Sequence, residues 1–262
     1  MTTPRPATTA TLLAPQVLGL LTSLTRYISE ETLEHRRLRN EIDKLARVDA
    51  AGSWALRAIY LTAMGKSSEA REAVQNALRL GVGLDNQGSL ATNVYINFAN
   101  FGDALDLLTK AADPRGGYFS SRIAWLVRAG GIRTAARYSE IAKAMGLDTP
   151  TLPIDLVRAV EALDTLDARP VSDADIALML TTAGAVFCEQ GLMTSRSEAP
   201  ELMQFEGGAF CFQFPLDVSP AEAATIAIEA SERLAGLPFS SSAATVSFAV
   251  YRRQACSEPV VA

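Results

Sequence analysis

Apolar positions recur at helical spacing through most of the chain and by alternation only near its end. Val17, Leu20, Leu21, Leu24, Tyr27 and Ile28 keep one apolar face over a helix that begins near Pro15. Ser29-Glu30-Glu31 is expected to cap a second helix with a narrow stripe of Leu38, Ile42 and Leu45. The charges around that stripe (Glu34, Arg36, Arg37, Arg39, Glu41, Asp43, Lys44) alternate in sign, as on a solvated face. From Trp54 to Leu80 the pattern predicts two amphipathic helices joined at Gly65-Lys66, with Ala58, Ala70 and Ala77 where they approach closely.

An Ala-x3-apolar-x2-Ala signature, Ala70-Val74-Ala77, returns 34 residues on as Ala104-Leu108-Ala111. It returns again after 31 residues as Ala135-Ser139-Ala142. The preceding helices keep step, with Leu61 matched by Tyr95 and then Leu126. Trp54 is matched by Gly88 and then Phe119; the turn glycine recurs at Gly130 but is displaced to Gly102 in the second unit. Gly81-Val82-Gly83, Asp113-Pro114-Arg115-Gly116-Gly117, and Gly146 ahead of Pro150 and Pro153 close the three units. A helix from Ile154 to about Leu166 is expected to shield the last one.

Beyond Pro170 the character changes. Ser172, Asp173 and Asp175 open a helix to about Cys188, and a polar loop runs from Thr194 to Pro200. A hairpin turning at Gly207-Gly208 follows, with Phe210, Phe212 and Phe214 alternating along its second strand. Ser219-Pro220-Ala221-Glu222 starts a helix to Leu234, and Val246, Phe248 and Val250 alternate in a last strand from Thr245 to Tyr251.

The spacing Trp54-x2-Arg57-Ala58-x2-Leu61, then Ala70-x3-Val74-x2-Ala77, resembles the tetratricopeptide repeat (TPR), over roughly residues 51–146. Arg57 stands where that family prefers Leu, Ala58 where it prefers Gly, and Val74 where it prefers Phe. The expected fold is mainly α: a TPR-like antiparallel helical-hairpin array followed by a small α/β (α-β-β-α-β) sandwich. The expected organisation is a flexible tail over 1–12, the helical array over 13–168, the α/β unit over 170–256 and a tail over 257–262. Trp54 is expected to pack inside the first hairpin.

The resemblance implies a concave groove lined by the first helix of each unit, receiving a peptide or helix of a partner protein. Carried onto this register, the groove positions are Ala55, Ile59 and Thr62, then Ser89, Asn93, Ile96 and Asn97, then Ser120, Ala124, Val127 and Arg128. Ile59, Thr62, Ser89, Asn93, Ile96, Asn97, Ser120, Val127 and Arg128 are the candidate partner-binding residues. Asn93 and Asn97 lie one turn apart; their amides either bond a ligand's main chain or solvate an exposed face. The paired lysines with which some TPR proteins clamp a C-terminal carboxylate are missing.

Composition narrows the function classes. A net charge of −5 over 262 residues argues against a phosphate-neutralising surface. Cys188, Cys211 and Cys256 form no disulfide framework, and thiols in a cytoplasmic protein are expected. No apolar run reaches the length of a membrane span, and the N-terminus lacks a signal-peptide pattern. His35 is the only histidine, and no metal-ligand spacing, phosphate-binding glycine loop or nucleophile elbow occurs. The phenylalanine row is expected to be core rather than a base-stacking platform, since no basic residue is interleaved.

The expected function is a non-enzymatic adaptor or chaperone-like protein without cofactor or metal. Its partner is a protein segment, with no nucleic acid and no membrane insertion. The alternative class is a structural subunit or immunity-type protein that holds a folded partner, or self-associates, through the C-terminal unit. A third class is an enzyme with its site at the junction of the two units.

Overall fold

The structure, a computed structural model, describes residues 9–29, 31–83, 87–88, 90–110, 119–193 and 200–250. Helix α1 (Thr9–Ser23) starts six residues ahead of Pro15 and buries Leu13, Val17 and Leu21. Helix α2 (Leu33–Leu45) is capped by Thr32 rather than Ser29: its hydroxyl accepts from His35 N at 3.3 Å, while Thr32 N donates to His35 Nδ1 at 3.2 Å. The lone histidine thus serves as a helix cap.

Helix α3 (Ala50–Ala63) is capped by Asp49, whose carboxylate accepts from Gly52 N at 2.8 Å. The chain reverses at Gly65 (φ 68°) into α4 (Ser67–Arg79), and the fully buried Ala58, Ala70, Ala73 and Ala77 let the pair approach closely. The second hairpin pairs a helical segment, α5, with α6 (Phe101–Lys110); α5 is wound as a π turn over Ala91–Tyr95 and a 3₁₀ turn over Ile96–Phe98. The third pairs α7 (Phe119–Arg128) with α8 (Ile132–Ala144), and α9 (Leu156–Thr165) packs on α8 as the expected shielding helix.

Left-handed turn residues fall at Gly65, Ala99 (φ 54°) and Gly130 (φ 89°), with the same 34- and 31-residue offsets as the alanine signature. The second turn is therefore at Ala99, not Gly102, which lies exposed inside α6. The hairpin keeps its turn position even though the left-handed backbone costs an alanine about 1–2 kcal/mol.

Trp54 is only half-buried and carries the Arg57 guanidinium 5.2 Å over its ring, so it is not the interior residue the spacing predicts. The second unit has Gly88 at that place because Trp125 of α7 occupies the space. A Cβ on Gly88 would lie 1.9 Å from a carbon of the Trp125 ring.

The C-terminal elements come in the predicted α-β-β-α-β order: α10 (Asp173–Glu189), β1 (Glu201–Gln204), β2 (Phe210–Leu216), α11 (Pro220–Ala235) and β3 (Ala244–Val250). The sheet order is β1-β2-β3; β1 pairs antiparallel with β2, and β3 joins β2 in parallel through α11. Phe210, Phe212 and Phe214 are fully buried. The Phe214 ring lies 5.2 Å from Phe187 of α10, 5.8 Å from Phe248 of β3 and 6.0 Å from Phe101 of α6. The row is core, and its Phe214 meets rings from α10, α6 and β3.

Helix α10 runs across the turn ends of the hairpins. Asp173 at its start caps α8, accepting from Arg133 N at 2.8 Å and Thr134 N at 2.9 Å. A Cβ on Gly130 would stand 3.1 Å from Ala177 N, and one on Gly184 would stand 2.6 Å from Ala99 Cβ. Just past the helix, Gly191 O accepts from Tyr27 N at 3.1 Å, and the Tyr27 ring closes over Gly65. Ala177 and Gly184, seven residues apart, thus meet two successive turns directly, and Gly191, seven further on, reaches the first turn through Tyr27. Seven helical residues rise about 10 Å, close to the spacing of packed helices. One cluster of buried side chains runs from Leu13 of α1 to Ala244 of β3.

Gly184→Ala is expected to destabilise the protein by about 1–3 kcal/mol through overpacking. Adding Ala99→Gly should recover most of that loss, since it removes the opposing methyl and the left-handed strain. A double-mutant cycle in urea reads the coupling; equal losses in the single and double variants would show that these residues do not oppose one another.

Candidate functional site

The groove positions divide by unit. In the first, Ala55, Ile59 (4% exposed) and Thr62 (0%) are buried on α3, on which α1, α2, α4 and α5 all pack. The Thr62 hydroxyl donates to Ala58 O at 2.9 Å. Ile59 and Thr62 are therefore core residues here rather than groove residues.

In the second unit, Ile96 (3%) and Asn97 (5%) are buried and Asn93 is half-buried, while Ser89 lies outside the described residues. The Asn97 side-chain amide donates to Asn93 O at 3.0 Å, turning back onto its own helix. The Asn97 main-chain carbonyl accepts from Tyr27 OH at 2.9 Å and from the Cys188 thiol at 3.4 Å. The Asn97 amide is thus turned onto its own helix, and Tyr27 and α10 close over its main-chain carbonyl.

Cys188 is half-buried, and desolvation of its thiol pushes the pKa up to about 12; desolvation raises the Tyr27 phenol as well. Neither group ionises near neutral pH, so the pair is structural. Cys211 is buried, with its sulfur 3.2 Å from Ser247 Oγ; Cys256 lies outside the described residues.

The third unit differs. Val127 is buried (1%), but its side chain and those of the half-buried Ala124 and Arg128 line a cleft of about 310 Å³. Thr151, Leu152 and Pro153 form a second wall, and Pro200, Glu201 and Leu202 at the start of β1 form a third. Ser120, also half-buried, stands outside the cleft and donates its hydroxyl to Asp148 O, pinning one end of the second wall. Gln204 holds the other end: its Oε1 accepts from Asp155 N at 2.7 Å, and its Nε2 donates to Asp155 O at 3.2 Å and Gly208 O at 3.3 Å.

The cleft therefore has an aliphatic floor with one guanidinium and one carboxylate at its walls. Its volume is at the small end of ligand pockets, of the order of a few side chains. The sequence reading missed Thr151–Pro153 and Glu201–Leu202, because Pro150 and Pro153 read as linker and Leu202 as a hairpin strand. Among the described residues, no three His, Cys, Asp or Glu side chains converge where they could hold a metal ion, and no helix is long and apolar enough to cross a membrane. No protein-family model matches this chain, and neither a curated protein nor a solved structure does.

Proposed function

We propose that the chain is a non-enzymatic, TPR-like protein-binding module of the adaptor or chaperone kind. It takes an extended or helical segment of another protein into the cleft beside the third hairpin. The observation that carries this reading is the cleft itself: two of the candidate partner-binding residues, Val127 and Arg128, share it with Ala124 and with walls that are hydrogen-bonded in place. Pre-ordered walls favour binding because little conformational entropy is lost on capture. Mixed aliphatic and charged lining suits a peptide, with side chains on the floor and polar groups at the rim. A reducing, cytoplasmic setting belongs to the same proposal and is favoured by the free thiols of the half-buried Cys188 and the buried Cys211.

The test is selection of peptides from a displayed library on the full chain, followed by anisotropy titration. Ala124→Arg fills the cleft and is expected to weaken binding at least about tenfold, or 1.4 kcal/mol. Arg57→Ala, on the first hairpin, should leave affinity unchanged. Equal affinity of the Ala124→Arg variant at an unchanged melting temperature would refute the cleft as the binding site, and so would failure to select any peptide.

A further inference from the structure

The charges of α2 are not evenly matched. Glu31, just ahead of the helix, takes Arg39 at 3.0 Å and Arg36 at 3.6 Å. Glu41 is held by Lys44 at 2.6 Å, and Asp43 by Arg57 of α3 at 3.7 Å. Glu34 lies in the first helical turn, where the helix dipole already favours a negative charge. Arg37 and Arg47 are left without a carboxylate or a hydrogen-bond acceptor among the described residues.

Both unmatched guanidinium groups line one shallow groove of about 430 Å³ on the outer face of α2, with Asn40, Glu41, Asp43 and Lys44. All six residues are exposed, so nothing in the described chain covers the groove. Arg37, Asn40 and Lys44 follow one another at the three- and four-residue spacing of a single helical stripe. Leu33 continues the stripe one turn back and is 63% exposed, while Val48, just past the helix, is 80% exposed. These are two of the three most exposed large apolar side chains among the described residues. The groove is thus closed at each end by an uncovered aliphatic side chain.

We propose that this face of α2 is a second docking site, taking an acidic amphipathic helix of a partner protein. Arg37 and Arg47 are ten residues apart, so they stand about 15 Å apart along the axis, the reach of three turns of the incoming helix. A carboxylate at each end of that span forms a charge-assisted, bidentate pair with one guanidinium. Apolar residues beyond the carboxylates cover Leu33 and Val48. A phosphate chain fits less well, because it would meet Glu41 and Asp43 and leave both aliphatic ends bare. The site shares no residue with the cleft beside the third hairpin and does not depend on it.

The test is a displayed library of helices about 18 residues long, enough to span Leu33 to Val48, with Glu, Asp, Leu and Val varied on one face. It is panned on the full chain, and the selected helices are titrated by anisotropy. They should carry two carboxylates about three turns apart and bind at least about tenfold more weakly when salt rises from ~0.05 to ~0.5 M. Arg37→Glu should cost about tenfold or more at an unchanged melting temperature, since that guanidinium has no intramolecular partner to lose. Arg137→Glu makes the same charge change outside the groove and should alter affinity less than about twofold. If Arg37→Glu does not fold, Arg37→Gln decides by the same criterion. The proposal is overturned if no helix is selected, if Arg137→Glu weakens binding as much as Arg37→Glu, or if Leu33→Ser with Val48→Ser leaves affinity unchanged. Single-stranded oligothymidylate that binds more tightly than any selected helix would make a phosphate chain the occupant and overturn it too. So would self-association of the full chain that Arg37→Glu abolishes, since a second copy would then fill the groove.

Discussion

Phe214→Ala is expected to cost about 3–5 kcal/mol, a large part of the stability of an ordinary domain. Phe214 is fully buried and its ring meets Phe101, Phe187 and Phe248, which come from α6, α10 and β3. Truncation removes a side chain that touches α6, α10 and β3 together. The surrounding backbone is fixed by helix and sheet hydrogen bonds, so the cavity cannot easily collapse. Chemical denaturation measures the loss, with Phe214→Leu expected to lose less, about 1–1.5 kcal/mol. A loss below about 1 kcal/mol for the alanine variant would mean that the aromatic cluster does not join the two halves.

Gly208→Ala comes next, at about 2–5 kcal/mol from two separable causes. Gly208 has φ 92°, a backbone that L side chains rarely adopt, and its Cβ would stand 2.5 Å from Arg158 O and 3.3 Å from Ala162 Cβ on α9. The obstacle is main chain, which cannot swing aside as a side-chain tip would. Gly207 beside it has φ 79° but open space around it, so Gly207→Ala carries the strain alone, about 1–2 kcal/mol. Equal losses at the two positions would show that the hairpin turn does not press on α9.

The elements were legible because their signals are local. Helical and alternating periods placed the hairpins and strands, Gly65 and Gly130 marked two turns, and Ser219-Pro220 marked a helix start. The turn at Ala99 was not legible, because an alanine gives no sign of left-handed backbone. Thr32 lost to Ser29 in the reading because Glu30-Glu31 resembles a first helical turn, whereas the cap is completed by His35.

The burial of the first two units' expected groove positions was hidden for a different reason. Val17 and Leu21 of α1, and Ile176 and Leu180 of α10, are ordinary apolar residues at helical spacing. Nothing in that spacing says which surface they cover. Of the cleft, the sequence offered only Ala124, Val127 and Arg128, as positions of a groove-lining helix; its other walls come from distant segments.

A row of helical hairpins on its own behaves as a spring, since each unit touches only the next and small rotations accumulate along the row. A rod fastened to each coil removes that freedom. With α10 engaging the turns at Gly130 and Ala99, and the segment just beyond it reaching Tyr27 over Gly65, the pitch of the row is fixed by the rise of one helix. The mouth beside the last coil is accordingly held at a constant gauge, to which a segment bound in the proposed way must conform.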